Sequence, residues 1–379
     1  NVRTIRPLYG EQADGARYEV AYEKITDWTR KGRGAARARN VIVSAGVVGT
    51  VELLLKCRDE DHTLPRLSPM LGEHVRSNSE ALMGVTARSG EQDFAEGVAI
   101  SSHFWADEVT SVEPCRYPPG SGFMRTLIWP LEGYGDEGTT FAGRLWASLQ
   151  HLFRKPGDFL HTRLLPQWAE RDTVLLIMQT VENKMAFRRG RTLTVGGRKG
   201  IFTERDPQDP IPACVDAGSD VVRRFAQKVD GVPWVGLNDL LGIPNTAHIL
   251  GGCAIGADEH SGVVDVRQQV FNYPGLYVAD GSVVPTNLGV NPSLTIAAMT
   301  ERAMSYIPPK TAAPALEPLP YPHSVTIDGR YVAEMPANGH GHETADRLKR
   351  LSPLLLLLLP LLPVLLVLFA FVRSSRKEH

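Results

Sequence analysis

The sequence predicts an α/β protein in which a parallel-sheet domain is divided by an inserted mixed-sheet α+β domain. Three observations carry that prediction. Val41-Ile42-Val43 is a short, wholly apolar run, as expected of a parallel strand covered on both faces. It leads through Ser44-Ala45-Gly46-Val47-Val48-Gly49 into a helical pattern, the first half of a βαβ unit. Leu276-Tyr277-Val278-Ala279 is a second apolar strand, and it ends at Asp280-Gly281, where open α/β sheets bind their ligands. Between them, from Ala81 to Gly242, the texture changes to alternating strands, turn signals and amphipathic helices.

The elements follow in order. Val2–Arg6 and Tyr18–Ala21 read as strands joined by a polar turn. Lys31–Arg39 (KGRGAARAR) is basic and Gly-rich and reads as a solvated loop. Thr50 can cap a helix over Val51–Lys56, and Gly46 and Gly49 let that helix pack closely on its strand. In the middle block, Ala81–Ala87, Val98–Phe104 and Val174–Thr180 read as strands. Met185–Arg188 and Thr192–Val195 flank a hairpin turn at Arg189-Gly190-Arg191. Arg144–Phe153 and Asp216–Val229 read as amphipathic helices. Asn291 is placed to cap a helix Pro292–Ile307, with Pro292 at its first position.

Composition removes several function classes. The chain has 379 residues, enough for two domains, and 41 basic against 42 acidic residues give a net charge of −1. That balance leaves no footprint for nucleic acid. Four scattered cysteines without a C-x-x-C pair exclude a zinc ribbon or a disulfide framework. Past Pro308 the chain turns Pro-rich and then polar, as a linker of extended character would. Leu354–Val372 then runs 19 residues without a charge. As a helix it would span ~28 Å, close to the ~30 Å hydrocarbon core of a bilayer. Basic residues flank it on both sides, so charge does not orient it, and a low-complexity leucine tail is the alternative.

Chemistry concentrates in Asn245–Ala303. His248 stands before Leu250-Gly251-Gly252, and an imidazole can take an alcohol proton as hydride leaves the same carbon. The start of the helix at Asn291-Pro292 offers free N–H groups and the positive end of a dipole, which stabilise negative charge on a reduced flavin. Each feature alone is ordinary: a core histidine, a strand-ending turn, a capped helix. Their order is informative.

That order resembles the C-terminal signature of the glucose–methanol–choline (GMC) oxidoreductases, and among them the bacterial cholesterol oxidases that hold FAD non-covalently. The resemblance rests on Thr246–Cys253 (TAHILGGC), Gly275–Ser282 (GLYVADGS) and Gly289–Ile296 (GVNPSLTI), with Val41–Leu54 and Met178–Asn183 alongside, and it covers residues 1–307. It implies a FAD/NAD(P)-binding Rossmann-like domain, incomplete at its N-terminus, with an inserted substrate domain. The implied limits are 1–80 and 243–307 for the FAD domain, 81–242 for the substrate domain, 308–353 for the linker and 354–372 for a transmembrane helix. It implies His248 and Asn291 as the catalytic pair, and Val2, Ala45, Gly46, Asp280, Gly281, Asn291, Pro292 and Ser293 along FAD. Glu170 is the loosest match, to a carboxylate that shifts a steroid double bond. The family's Gly-rich phosphate loop has no counterpart in the sequence, so a preceding segment and weak FAD retention by this chain are expected.

The implied activity is oxidation of a sterol 3β-hydroxyl to the ketone, with a possible Δ5→Δ4 isomerisation and with oxygen or another acceptor taking the electrons. A membrane anchor would bring such an enzyme to its membrane-resident substrate. Two rivals stay open: a GMC dehydrogenase of another bulky hydrophobic alcohol, and a membrane-anchored remnant without catalysis.

Overall fold

The computed structural model describes residues 1–308, 324–327 and 330–333, except 11–14, 27–31, 131–139, 192–196, 198, 206–210 and 212–214. The first sheet is antiparallel, with β1 (Val2–Pro7), β2 (Tyr18–Glu23) and β3 (Arg33–Ala38) in order. β3 corrects the expected loop. Its alanines and arginines pair with β2 over six residues, Glu23↔Arg33 to Tyr18↔Ala38. As an edge strand it keeps its charges in water, which hid it from a hydrophobicity reading.

β4 (Val41–Val43) pairs in parallel with β13 (Leu276–Val278), register Val41↔Leu276 to Val43↔Val278. This pair joins the two ends of the first domain. α1 (Gly46–Asp59) packs below it. It starts five residues before the expected helix, so Thr50 sits inside it rather than at its cap. One core draws on Ile5, Val51, Leu54, Leu64 and Val75 from the first 80 residues and on Cys253, Val263, Leu276 and Val278 from the later segment. The strand β4 is not covered on both faces as expected: Ile42 is 46% exposed.

The second domain is a six-stranded sheet, β6-β7-β9-β5-β12-β8. Its strands are β5 (Ala81–Ala87), β6 (Phe104–Trp105), β7 (Thr110–Cys115), β8 (Ile128–Pro130), β9 (Asp172–Gln179) and β12 (Gly231–Gly236). Every pairing is antiparallel, where a mixed sheet was expected. The expected strand Val98–Phe104 shrinks to a bridge at Ile100↔Cys115 and the short β6. One face carries Met83, Val85, Leu175 and Ile177 against Val222 and Ala226 of α5 (Asp216–Lys228). α2 (Phe141–Arg154), α3 (Pro156–Leu164), α4 (Trp168–Arg171) and α6 (Leu237–Leu240) close the far end. β10 (Met185–Arg191) and β11 (Lys199–Arg205) form a separate hairpin. The strand runs straight through the expected turn, because Gly190 pairs with Gly200 in the ladder. Phe187 of this hairpin belongs to the first core.

α7 (Ser293–Ser305) starts one residue later than expected, with Pro292 rather than Asn291 at the N-cap and no side-chain cap. The asparagine is freed for other work. The stretch expected to be irregular contains a hairpin, β14 (Ser324–Ile327) with β15 (Arg330–Ala333). Leu354–Val372 lies outside the described residues, and among those described no helix is long and apolar enough to cross a membrane.

Asp172 at the start of β9 is 3% exposed and accepts bonds from Thr86 Oγ1 (2.6 Å) and Trp234 Nε1 (2.8 Å). Burial pushes its carboxyl well above the ordinary carboxylate range, against the pull of those two bonds. The folded state therefore binds the proton more tightly than the unfolded chain. Its stabilising contribution is full below the unfolded value near ~4 and is lost as pH rises through the folded value. Asp172→Asn keeps the one oxygen, Oδ1, that accepts both bonds. It should remove a slope of up to ~1.4 kcal/mol per pH unit over that window. Chemical denaturation at pH 4, 5.5 and 7 checks this: the gain over wild type should grow with pH, and a constant difference would contradict it.

Candidate active site

The site grows from four residues, Ser77-Asn78-Ser79-Glu80, that link the first core to β5. Asn78 and Ser79 both adopt left-handed backbone, φ 55° and 44°. Non-glycine residues pay ~1–3 kcal/mol each for sparsely populated conformations such as this. The bend turns consecutive side chains toward different partners. Asn78 Oδ1 accepts from Leu288 N (3.0 Å) and Gly289 N (2.9 Å), and its Nδ2 donates to the Val290 carbonyl (3.1 Å). Three bonds thus hold the segment that delivers Asn291. Glu80 Oε2 accepts from Thr246 Oγ1 (2.8 Å) and Ala247 N (3.1 Å), and so holds the segment that delivers His248. Just before the link, Arg76 and Leu250 exchange both backbone bonds, at 2.8 and 3.0 Å. Gly251 is needed there: at φ 77° a side chain would meet the His74 carbonyl at 2.1 Å.

Asn291 Nδ2 donates to Glu113 Oε2 at 2.6 Å. An ionised carboxylate only accepts, so this bond sets the amide with its nitrogen toward β7 and its oxygen away. Asn291 Oδ1 is buried and has no hydrogen-bond partner among the described residues, and neither does Glu80 Oε1. His248 Nδ1 lies 3.3 Å from Glu80 Oε2, close enough for an ion pair but not in line for a hydrogen bond. The imidazole is 19% exposed.

Both carboxylates stand on the sheet face opposite α5. Glu113, Leu176 and Leu82 are aligned across β7, β9 and β5. Ser111 pairs with Met178 in the next row, and extending the β5 register by one residue sets Glu80 opposite Met178. Cys115, Val174, Gly84 and Trp234 form the row on the other side. Burial, then the charges of Glu113 and Glu80, push the Cys115 thiol up to about 11, so it stays a protonated, poorly nucleophilic thiol.

The expected cofactor residues gather at Gly281. A Cβ there would lie 3.2 Å from Ile296 in the first turn of α7, 3.4 Å from Val47 in the first turn of α1 and 3.4 Å from Leu250. The two helix N-termini and the histidine turn therefore converge. Neither helix has a side-chain cap or an acidic residue in its first turn. Gly46, at φ 71°, has open space where a Cβ would point. Asp280 is spent inside the protein: its carboxylate accepts from Ser282 N, Ser282 Oγ and Thr50 Oγ1. Thr50 in turn accepts from Ala45 N (3.1 Å), which locks the β4–α1 turn to the end of β13. Val2, 39% exposed on β1, and the exposed Ser293 complete the expected set, beside a buried Pro292.

Glu170 is elsewhere. Its Oε1 accepts from Gly120 N (3.2 Å) and its carbonyl from Phe94 N (2.8 Å), at the Asp172 end of β9. That end is four residues, ~13 Å, from the Leu176 row. The carboxylates brought to the pair are Glu80 and Glu113, which the sequence reading missed. Glu80 had a signal, a charge abutting the apolar strand β5, whereas Glu113 lies in the mixed run Thr110–Cys115 (TSVEPC) and had none.

The candidate site thus consists of the parallel β4–β13 pair, two converging helix N-termini without side-chain caps, and the segments of His248 and Asn291 held by the Ser77–Glu80 link. The chain is similar to the GMC oxidoreductases. Residues 240–300 match the family model described as GMC oxidoreductase. It is 38% identical over 310 residues to a cholesterol oxidase of Mycobacterium tuberculosis, covering 80% of this chain and 52% of that protein. It is 36% identical over 307 residues to a cholesterol oxidase of Acinetobacter baumannii, covering 81% and 54%. A long-chain-alcohol oxidase of Arabidopsis thaliana shares 47% identity over 51 residues, 14% of this chain and 7% of that protein. The chain spans about half the length of the curated cholesterol oxidases it matches.

Proposed function

We propose that the protein is a FAD-dependent oxidase of a sterol 3β-hydroxyl, with oxygen as the electron acceptor. The observation that carries the reading is the buried, unpartnered Oδ1 of Asn291, aimed away from Glu113. A buried acceptor left unpaired costs ~1–3 kcal/mol, and a substrate O–H is the donor that removes the cost. Sharing that O–H between Asn291 Oδ1 and the imidazole of His248 orients the carbinol and gives its proton a base. His248 takes the proton while the C–H bond breaks. Bound FAD supplies the hydride acceptor.

The residues present fit that cofactor. Ala45 and Gly46 leave an open turn at the N-terminus of α1. Pro292 turns the chain into α7, and Ser293 begins the first turn, whose uncapped N–H groups favour an anionic ring edge. Gly281 keeps the two helix ends close enough to serve one cofactor. Val2 is assigned to the adenine end. The Asp280 side chain acts as the clamp that holds Thr50 and Ser282, so its part toward FAD is indirect.

Sterol is preferred to another bulky alcohol because the long matches run through the middle domain and are to cholesterol oxidases. The match to a long-chain-alcohol oxidase spans only 51 residues. Residues 81–242 would present the substrate. The leucine run Leu354–Val372 is assigned to membrane anchoring, on its length and lack of charge.

The FAD-loaded enzyme should release hydrogen peroxide from a 3β-hydroxysterol and little from 3α-epimers or long-chain alcohols. His248→Ala should keep the flavin absorbance and lose ~10²-fold or more in kcat. Turnover near wild type would refute the base assignment, and a preference for long-chain alcohols would refute the sterol. Deleting Leu354–His379 should move the protein from the membrane to the soluble fraction on flotation. Unchanged partitioning would refute the anchor.

A further inference from the structure

We propose that Glu80 is the positioning residue for His248 and selects the tautomer in which Nδ1 carries the proton and Nε2 faces the substrate. The inference deepens the alcohol-oxidation reading and rests on it for the chemistry of Nε2, but the tautomer is a property of the side-chain arrangement itself.

Three observations converge. The first is burial: the Glu80 side chain is fully inaccessible, yet only one of its oxygens is occupied. Burying a carboxylate is costly unless donors surround it, so an unpartnered Oε1 marks unused acceptor capacity on a carboxylate whose Oε2 lies 3.3 Å from the ring. The second is the directionality of the bonds. Thr246 Oγ1 donates its hydrogen to Glu80 Oε2 and accepts from the His248 backbone N–H at 2.8 Å. The carboxylate therefore sets the backbone of His248 through one hydroxyl, while lying 3.3 Å from the ring nitrogen of the same residue. One bonded path to the backbone and one close approach to the ring thus run from Glu80 to the same residue. The third is the left-handed backbone of Asn78 and Ser79 immediately before Glu80. A chain that holds two such residues in succession forgoes easier geometry to aim the next side chain.

The choice of tautomer follows from the partner. A carboxylate accepts and does not donate, so the nitrogen facing it must carry hydrogen. The other nitrogen then holds the lone pair, and a general base needs that lone pair on the substrate side. The ring is off line for a full hydrogen bond to Glu80, and such contacts commonly tighten when the substrate is bound. Glu113 stays with Asn291 at 2.6 Å, so each carboxylate serves one member of the pair.

The test is the 15N spectrum of imidazole-labelled, FAD-loaded protein, with the His248 signals assigned by their loss in His248→Ala. In wild type, Nδ1 should appear protonated and Nε2 unprotonated. Glu80→Gln, which keeps size but can also donate, should give a mixture with Nε2–H. It should lower kcat ~10-fold or more with KM changed less than about twofold, as a wrong tautomer does in other histidine-dependent enzymes. Glu80→Asp should restore the Nδ1–H form. An Nε2–H form in wild type would overturn the proposal even if Glu80→Gln failed to fold, and an unchanged spectrum in Glu80→Gln would overturn it as well. His248→Ala with wild-type turnover would refute the base reading and leave the tautomer result standing.

Discussion

The hydrogen-bonded link Ser77–Glu80 is the constraint on which the rest of the site depends. His248 and Asn291 are 43 residues apart in sequence (291 minus 248). Neither sits deep in a helix or strand that could fix it alone. Asn78 holds the segment before Asn291 by three bonds, and Glu80, two residues on, holds the segment before His248. The link is itself stapled: Arg76 bridges Leu250 on one side, and Ser79 Oγ bonds Gln179 and Asn183 on the other. Because the link leads straight into β5, the sheet of the second domain and the histidine turn of the first share one rigid joint. Placement of the pair thus follows from the domain junction.

The sheet adds the electrostatics. Glu80 and Glu113 share one face with Leu82, Leu176, Val174 and Trp234, so the two carboxylates stand in largely apolar surroundings. Low polarity strengthens each carboxylate's hold on its partner and penalises any polar atom left over. The leftover atoms are Asn291 Oδ1 and Glu80 Oε1, one on each half of the proposed pair. Gly84 keeps this face flat, since a Cβ there would strike the Trp234 ring at 2.3 Å.

Much of the architecture was legible in the sequence. β4, β13 and β5 announced themselves by apolar runs, and α5 by its amphipathic period. His248 and Asn291 were legible only through the order of three motifs. What stayed hidden depends on partners far away in the chain. Thr50 looks like a cap because the bond to Asp280, 230 residues on, cannot be seen locally. Asn291 looks like a cap because Glu113 is 178 residues away. Arg33–Ala38 looks like a loop because an edge strand needs only one neighbour. Glu80 and Glu113 drew no reading from the sequence, because only the strand register sets them on one face. Local pattern reports periodicity and turn chemistry, whereas a site assembled across a domain junction is encoded in pairings with no local signal.

One link holds both halves of the pair, and its loss should be felt in both. Asn78→Gly keeps the left-handed backbone and deletes only the side-chain bonds, so native-state hydrogen exchange in that variant tests the claim directly. Leu288 and Gly289 should exchange ~10-fold or more faster, as loss of bonds worth ~1 kcal/mol each implies. His248 and Leu250, to which Asn78 makes no hydrogen bond, should loosen with them, while Ile177 and Val235 in the sheet keep wild-type protection. If Leu288 and Gly289 alone speed up and the histidine turn keeps its full protection, the link does not couple the pair and the central claim is wrong.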